Sequence, residues 1–580
     1  MGIYRIAGAG LTCLMVAVSP LARGQAKTSI VSGDVVDAES EVGIPGARVS
    51  LIDEGRGTSI STLTGEGGKF SFEAVSAGRY DPDASASGFS HGRLDLLPTG
   101  SGVIDVADGQ PSPGHRLYVW KLGVISGAVE DEHGGPAASL LVVALRRDVA
   151  AGRASWLQTY RAVTDDKGRY RLSGLMPGRY VVAVPSAPEP SLRSPGTGVP
   201  TVFYPSAATA TEATLLAVGP GEERRNTDIA LRAPASLHAI AGRVTTPDGP
   251  VSCKVRLVHW EARASASDLE TQFATTSADG RFRFDGVPPG QYTLAAIVAP
   301  SVGDGRGDGT VDLSSGVIQF AGSGPHPVAP TPTAPTWWGD TSVTVEDRDL
   351  GGLTLALQPG ARVFGRVTYD GTAPRPDPVN MFVIVAAADA RSDLGRAKIP
   401  LSPLGADGAF ETAALPPGLY EVSPFTRASP PWTVDSIMAR GQEIAGGALE
   451  VGATDVRSVE ITLTDRPATL SGTTRDRDGT PVPGVAVVAF AKDPQLRHHL
   501  RWSPSRMAVG QSDRQGRYAL VGLLPGDYDV TTLSHTQLLA WLLSDPFDQY
   551  DRLAGSVVAV RIERHEAHSL DLQVRIASGH

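Results

Sequence analysis

Two histidines near the carboxyl end are spaced closely enough to suggest a metal site. His565 and His568 flank Glu566 and Ala567. Zinc peptidases place two histidines four positions apart on a helix, with a glutamate after the first, so this string is one residue short. The sequence contains no His-x-x-Glu pair, no Gly-x-Ser-x-Gly turn and no phosphate-binding Gly-x-x-x-x-Gly-Lys loop. We therefore expect a solvated turn here, and the sequence predicts no enzyme, no catalytic residue, no metal ligand and no cofactor.

A glycine-rich acidic segment offers a second possible cation site. Asp304, Asp308 and Asp312 stand at positions 1, 5 and 9 of a calcium loop, but position 12 is Ser315. The closing bidentate carboxylate of such a loop is thus missing. We interpret the segment as an exposed flexible loop.

Four aromatic residues could bind sugar rings. Tyr204, the pair Trp337 and Trp338, and Trp432 follow the tyrosine strand of three successive repeats described below. Exposed aromatic faces would stack on glycan rings, whereas buried ones would fill a seam between domains or cap a core. Recurrence at one structural position favours packing, and glycan binding stays the alternative.

Composition excludes one class of partner. The 580 residues include 52 basic and 62 acidic side chains, for a net charge of -10. Nucleic-acid binding needs a basic face, so no nucleic-acid partner is expected. With 66 Gly, 44 Pro and only 6% aromatic residues, the chain has the composition of many short strands joined by tight turns.

The first 24 residues have the features of a cleavable signal peptide. Arg5 precedes an apolar stretch over 6–18, and small residues Ala22 and Gly24 precede a cleavage point before Gln25. The stretch is too short for a membrane-spanning helix, and no later segment is long enough. We expect an extracytoplasmic protein (periplasmic, secreted or at the cell surface) with no transmembrane segment. Cys253 alone would remain after cleavage, so no internal disulfide is possible.

One pattern occurs five times with identical internal spacing. It consists of Gly-x-aromatic, seven further residues, and Gly-x-Tyr. The copies run over 68–80, 168–180, 280–292, 408–420 and 516–528. Five such matches indicate a tandem repeat of about one domain each.

Each copy lies between alternating strands. A first strand with a central glycine precedes it, as in Ile240-Ala-Gly242-Arg-Val244, and two apolar alternating segments follow it, as at 343–345 and 353–357. Period-two alternation predicts half-buried strands, and we expect the two following segments to form a hairpin. Within the motif, the tyrosine ring should lie in the core with its hydroxyl at the rim, where it needs a partner.

The repeat predicts an all-β chain. We expect five tandem Ig-like or transthyretin-like antiparallel β-sandwich domains after the signal peptide. They are called units 1 to 5 below. The predicted bounds are 1–24 for the signal peptide and 25–122, 123–234, 235–358, 359–466 and 467–580 for the units.

The units resemble a known family. The run 472–487 of unit 5, with Ser/Thr-Asp-x-x-Gly-x-Tyr/Phe and Leu-x-Pro-Gly-x-Tyr behind it, is similar to the carboxypeptidase regulatory-like domain. The resemblance implies a transthyretin-like sandwich, grouped with carbohydrate-binding-like folds, and no catalysis. Unit 1 departs from the pattern because Ala77 replaces the proline before Gly78, and unit 4 departs because it has Thr412 where an apolar residue is usual.

The leading functional hypothesis is a secreted, non-catalytic scaffold or adhesion-type binding protein. One alternative is a carbohydrate-binding protein that uses Tyr204, Trp337, Trp338 and Trp432. Another is an accessory protein of an outer-membrane transport or secretion system. Polysaccharide and cell-envelope protein are the candidate partners.

Overall fold

We analysed a computed structural model of the chain. The structure describes residues 28–53, 58–90, 104–150, 153–186, 200–232, 236–260, 269, 271–300, 309–312, 318–320, 330–388, 398–426, 432–446, 448–494, 496, 506–534, 537–538 and 557–574. The predicted signal peptide, Cys13 and residues 304–308 of the acidic segment lie outside them. Within the described part the chain is built from β-strands, with short 3-10 helices at Glu66–Gly68 and Pro378–Asn380.

Units 1 and 2 each contain a pair of sheets. The strands of unit 1 are β1 (Ser29–Asp37), β2 (Arg48–Asp53), β3 (Ser59–Leu63), β4 (Lys69–Val75), β5 (Gly78–Ser85), β6 (Ile104–Val106) and β7 (Ser112–Val119). Those of unit 2 are β8 (Gly123–Glu130), β9 (Leu141–Ala150), β10 (Arg153–Val163), β11 (Arg169–Leu175), β12 (Gly178–Val184), β13 (Val202–Phe203), β14 (Leu216–Val218), β15 (Glu223–Arg224) and β16 (Ile229–Ala230). The sheet orders are β4-β1-β7 and β3-β2-β5-β6 in unit 1, and β11-β8-β15 and β10-β9-β12-β13 in unit 2.

Unit 3 has the same design with an insertion. Its strands are β17 (His238–Thr246), β18 (Gly249–Pro250), β19 (Lys254–His259), β20 (Thr271–Thr275), β21 (Arg281–Val287), β22 (Gly290–Val298), β23 (Gly309–Asp312), β24 (Ile318–Phe320), β25 (Trp337–Val345), β26 (Leu350–Ala356) and β27 (Gln358–Pro359). The sheets are β18-β17-β21, with β26 beside β17, and β20-β19-β22-β25-β27. The predicted boundary after residue 358 falls inside β27. Residues 309–312, predicted as loop, are strand β23.

Units 4 and 5 complete the described chain. Unit 4 contains β28 (Val363–Asp370), β29 (Met381–Ala387), β30 (Lys398–Pro400), β31 (Ser402–Pro403), β32 (Ala409–Glu411), β33 (Gly418–Thr426), β34 (Thr433–Ala439), β35 (Gln442–Glu443), β36 (Leu449–Val451) and β37 (Val456–Thr464). Unit 5 contains β38 (Thr469–Arg475), β39 (Ala486–Ala491), β40 (Met507–Gln511), β41 (Arg517–Val521), β42 (Gly526–Leu533), β43 (Val558–Ile562), β44 (Ala567–Ser569) and β45 (Leu572–Gln573). The sheet orders are β32-β28-β37-β34-β35 and β31-β29-β33-β36 in unit 4, and β41-β38-β44 and β40-β39-β42-β43 in unit 5.

The cores lie between the paired sheets, where alternation places them. In β4, for example, Phe70 and Phe72 are buried and their neighbours Lys69 and Ser71 are exposed. A main cluster of buried apolar residues lies in each unit, and the cluster of unit 4 also includes Leu524 from unit 5. The fold is therefore an all-β array of sandwiches, as predicted. The five domain bounds stay a prediction.

The predicted hairpin at the end of each unit is wrong. In unit 3, β25 pairs with β22, whereas β26 pairs in parallel with β17 in the opposite sheet. The first strand of each other unit also has a parallel partner from that unit's end. Alternation shows which residues face the core but does not show which strand lies alongside. The last connection of each unit thus crosses between sheets.

The central glycine of each first strand makes room for this closing strand. At Gly365 an added Cβ would lie 2.3 Å from the Val459 carbonyl oxygen and 2.5 Å from Phe410 Cζ. An added Cβ would also come within 2.4 Å of a carbonyl oxygen at the other four positions, Gly33, Gly127, Gly242 and Gly472. These glycines allow the aromatic ring of the motif and the parallel strand to approach one backbone position.

Replacement of Gly365 by alanine should destabilise unit 4 by about 1–3 kcal/mol, because the obstructing atoms include backbone that cannot rotate away. Denaturant unfolding of the variant measures the loss. Gly351→Ala is the control, since its added Cβ meets no atom within 4 Å. Equal losses in the two variants would contradict the close-approach explanation.

Candidate functional site

The recurring tyrosines are used inside their own units. Each hydroxyl donates to the carbonyl oxygen four residues earlier, at the turn that precedes the strand. The donor and acceptor pairs are Tyr80 to Ser76 (3.0 Å), Tyr180 to Met176, Tyr292 to Pro288 (3.0 Å), Tyr420 to Pro416 (2.7 Å) and Tyr528 to Leu524 (2.7 Å). Burial raises the pKa of Tyr292 to about 12. The five hydroxyl groups are thus donors that hold the turn, and unit 1 makes this bond without the usual proline.

In units 2 and 5 the aromatic residue of the Gly-x-aromatic part of the motif is also a tyrosine with a hydrogen-bonded hydroxyl. The Tyr170 hydroxyl donates to the Thr227 carbonyl, and that of Tyr518 donates to the Leu570 carbonyl, both on the closing segment. Burial raises the pKa of each tyrosine well above its ordinary value. Units 1, 3 and 4 have phenylalanine at this position. These hydroxyls tie the motif to the parallel strand.

In four units a serine or threonine stands four residues before the first glycine of the motif, and its hydroxyl also stabilises the fold. Thr164 Oγ1 accepts from the Leu140 amide (2.9 Å) and donates to the Ala137 carbonyl (2.7 Å). Thr64, Thr276 and Ser512 make equivalent pairs of bonds. Unit 4 has Leu404 at this place. There Thr412, which sequence comparison marked as a departure, is fully buried and accepts from the Val363 amide at 2.9 Å.

The carboxylates of the acidic turns accept hydrogen bonds from backbone amides. Asp513 Oδ1 accepts from the Gln515 amide (2.9 Å) and the Arg517 amide (2.8 Å), and Asp165 does the same in unit 2. These backbone bonds, with the Arg517 guanidinium next in importance at Asp513, lower the pKa of both carboxyls. A lowered folded pKa means that the stabilisation is present above the unfolded value and is lost as the pH falls through the folded value.

Asp513→Asn should therefore make the stability of unit 5 less sensitive to acid. The amide oxygen still accepts the two backbone bonds but carries no titrating charge. Denaturant midpoints measured from about pH 5 to about pH 2 should fall less steeply in the variant than in the native chain. Asp165→Asn is the control, because it acts in unit 2. An unchanged pH slope for unit 5 in Asp513→Asn would contradict the assignment.

Trp432 is a packing residue. Its side chain is 7% exposed, and its indole nitrogen donates to the Pro374 carbonyl at 3.0 Å. The ring meets Tyr369 edge-on with centroids 5.1 Å apart. Trp432 precedes β34, which pairs with β37. The segments that carry Tyr204 and Trp337 instead lie beside β12 and β22, the strands that contain the motif tyrosines. Trp432 thus does not share the position of the other three.

Trp337 and Trp338 point to opposite faces of one strand. Both are half-buried, and Trp337 packs against the core of unit 3. Trp338 has a buried indole nitrogen without a hydrogen-bond partner. Tyr204 is half-buried against the core of unit 2 and precedes Pro205 through a cis peptide bond. The four predicted residues therefore lie on three units and do not form one site.

A charged cluster at the junction of units 4 and 5 was missed from the sequence. Arg564 forms an ion pair with Asp435, whose side chain is 6% exposed. His565 Nε2 lies 3.4 Å from Asp435 Oδ1 and 3.5 Å from Asp370 Oδ2. His565, which we expected in a solvated turn, thus faces carboxylates of the preceding unit. Only sequence-distant contacts create this cluster, so no local pattern could reveal it.

No further chemistry is evident in the described part of the chain. There, no group of three or more His, Cys, Asp or Glu residues is placed to hold a metal ion. Cys253 is half-buried, and burial raises the pKa of its thiol. Among the described residues, no helix is long and apolar enough to span a membrane.

Comparison with known families gives one match. Residues 30–114, within unit 1, match the family model of the carboxypeptidase regulatory-like domain. The match falls on a unit that departs from the expected pattern. A search of curated proteins found no match.

Several solved structures are similar to parts of the chain. The minor pilin of Streptococcus agalactiae is 15% identical, with 36% of this chain and 98% of the pilin covered at a TM-score of 0.21. A streptococcal ancillary pilin is 12% identical, with 59% and 99% covered at 0.18. The shaft pilin of Lactobacillus rhamnosus is 10% identical, with 36% and 98% covered at 0.17. At these TM-scores nothing about binding follows for this chain.

Proposed function

We propose that the chain is a non-catalytic, multidomain scaffold that acts outside the cytoplasm and binds a component of the cell envelope. One observation carries the proposal: the residues that recur in every unit all serve that unit's own framework. The tyrosine hydroxyls hold turns, and the central glycines admit the closing strand. Repeated residues with such partners build a scaffold and leave its variable surfaces for binding.

The junctions support a scaffold with fixed contacts between units 4 and 5. The Leu524 side chain of unit 5 is 1% exposed and belongs to the core cluster of unit 4. Arg506 of unit 5 donates to the Ala445 carbonyl of unit 4 at 3.2 Å. Contacts of this kind would transmit a pull or a docking event along the chain.

Fractionation of cells that produce the tagged full chain tests the location. We expect processed protein beginning at Gln25 outside the cytoplasm, and deletion of residues 2–24 should retain it inside. The purified mature chain should then sediment with isolated cell envelopes. Protease or glycosidase treatment of the envelopes separates a protein partner from a polysaccharide partner. Unprocessed cytoplasmic protein, or failure to sediment with any envelope preparation, would overturn the proposal.

Carbohydrate binding is a second candidate, favoured by one observation. Trp338 lies half-buried on the side of its sheet away from the core, with its indole nitrogen unpartnered. The indole nitrogen itself is buried, so a sugar ring would stack on the exposed part of the indole ring. Loss of retention on insoluble polysaccharide in Trp338→Ala, with Trp432→Phe as a control at a buried site, would support this function. Absence of retention for the native chain would remove it.

A further inference from the structure

Unit 3 contains a long insertion at a place where a tight turn would be sufficient. Strands β22 and β25 are antiparallel neighbours, and their last paired residues, Val298 and Trp337, lie directly opposite each other. Antiparallel strands in this register can be joined by a two-residue turn. The chain instead inserts residues 299–336 between them. The closure of unit 3 therefore does not require the insertion, and its described parts contact unit 4.

The end of the insertion lies along the chain that leaves unit 3. Strand β27, at the exit, pairs with the first two residues of β25. Just after it, the Gly360 amide donates to the Thr336 carbonyl at 2.8 Å. Ala361 then exchanges two backbone hydrogen bonds with Leu415 of unit 4, at 2.8 and 2.7 Å. The connection between the two units is thus hydrogen-bonded to the insertion on one side and to unit 4 on the other.

A side chain of unit 4 continues this ladder. Arg362 Nη2 donates to the Pro332 carbonyl at 2.8 Å and to the Ala334 carbonyl at 3.3 Å. Arg362 Nη1 donates to the Glu411 carboxylate, and the Arg362 side chain is only 14% exposed. The Thr331 hydroxyl donates to the Glu411 carbonyl at 2.8 Å. Hydrogen bonds from a charged donor are stronger than neutral ones, so Arg362 holds residues 331–334 firmly against unit 4.

A second attachment lies on strand β23 of the insertion. Residues 310–312 pair antiparallel with residues 398–400 of unit 4, in strand β30, and β24 continues this small sheet. The Ile297 side chain, close to the start of the insertion, packs against the core cluster of unit 4. Each attachment removes directions in which unit 4 could otherwise tilt about a single connection.

We propose that the insertion is a strap that fixes the orientation of unit 4 relative to unit 3, so that the two units move as one rigid body. Domains of one chain usually move relative to each other unless their interface is extensive. Here the insertion adds a shared sheet at one place and a partly buried arginine clamp at another. A rigid pair keeps the surfaces of both units at a fixed spacing, whichever envelope component the array binds.

Distance measurements between spin labels by pulsed electron resonance test the strap. The labels are attached through Thr344→Cys in unit 3 and Glu450→Cys in unit 4, at positions that are exposed in the native chain. The mature full chain carries them with Cys253→Ser, which removes its other thiol. We expect a narrow distance distribution. Replacement of residues 299–336 by Asn-Gly, which favours a two-residue turn, should broaden the distribution about twofold.

Two arginine substitutions make the test independent of the deletion. Arg362→Met removes the clamp and should also broaden the distribution, to a smaller extent. Arg366→Met is the matched control and should leave it narrow, because the Arg366 guanidinium pairs with Asp407 of its own unit at 3.0 Å. Hydrogen exchange in β22 and β29 shows whether units 3 and 4 stay folded in each variant.

A broad distribution in the unaltered chain would overturn the proposal. So would an unchanged width after the deletion with both units folded, or equal broadening by Arg362→Met and Arg366→Met. If the deletion unfolds either unit, Arg362→Met decides, and an unchanged width in that variant overturns the strap.

Discussion

Replacement of Tyr420 by alanine is expected to lower the free energy of unfolding of unit 4 by about 3–5 kcal/mol. The ring is fully buried in the largest core cluster, and its hydroxyl donates to the Pro416 carbonyl at 2.7 Å. Alanine would leave a cavity of aromatic size and release the turn before β33. Native-state hydrogen exchange of β29, the strand paired with β33, measures the loss.

The conservative variant separates the two contributions. Tyr420→Phe keeps the ring and removes only the hydroxyl, so the Pro416 carbonyl loses its partner and the expected cost is about 1–2 kcal/mol. If Tyr420→Ala and Tyr420→Phe cost the same, core packing by the ring contributes little. If neither variant alters exchange in β29, the tyrosine does not support this unit.

Leu524→Ala is expected to destabilise unit 4 by about 2–5 kcal/mol. The residue belongs to unit 5 by sequence, but its side chain is 1% exposed in the core cluster of unit 4. Around it, Arg564 of unit 5 pairs with buried Asp435 of unit 4. A cavity at this position should therefore increase hydrogen exchange in β29 of unit 4.

The neighbouring residue is a matched control. Leu523 is 3% exposed and belongs to the core cluster of unit 5. Leu523→Ala should increase exchange in β39 of unit 5 and leave β29 protected. If Leu524→Ala leaves exchange in β29 unchanged, or if Leu523→Ala increases exchange there equally, the two units do not share a core at Leu524.

Within the units, local patterns were sufficient to anticipate much of the structure. The tyrosine ring was expected in the core with a bonded hydroxyl at its rim, and Tyr528 shows this arrangement. Turn chemistry and period-two alternation act over a few residues, so they can be seen in a linear string. The closing hairpins were predicted wrongly because strand partners are chosen across distances of tens of residues.

For the candidate binding residues, too, the sequence showed the residue type but not the burial or the neighbours. Trp432 had the residue type of a sugar platform, but its burial and its bond to Pro374 depend on strands distant in sequence. Conversely, Arg362 drew no notice in the sequence because the carbonyl groups that it binds stand in another unit without a motif. Its bonds to Pro332 and Ala334 exist only because the insertion of unit 3 returns along unit 4.

The amino-acid sequence alone determined the repeat, the strand-rich composition and the inward-facing positions, since each depends on spacing within one short segment. Tertiary structure decided that the last strand of a unit returns beside the first in parallel, that Leu524 fills its neighbour's core, and which aromatics meet solvent. The physical reason is that alternation assigns a side chain to a face of its strand. What lies against that face depends on long-range packing, to which residues far apart in the chain contribute.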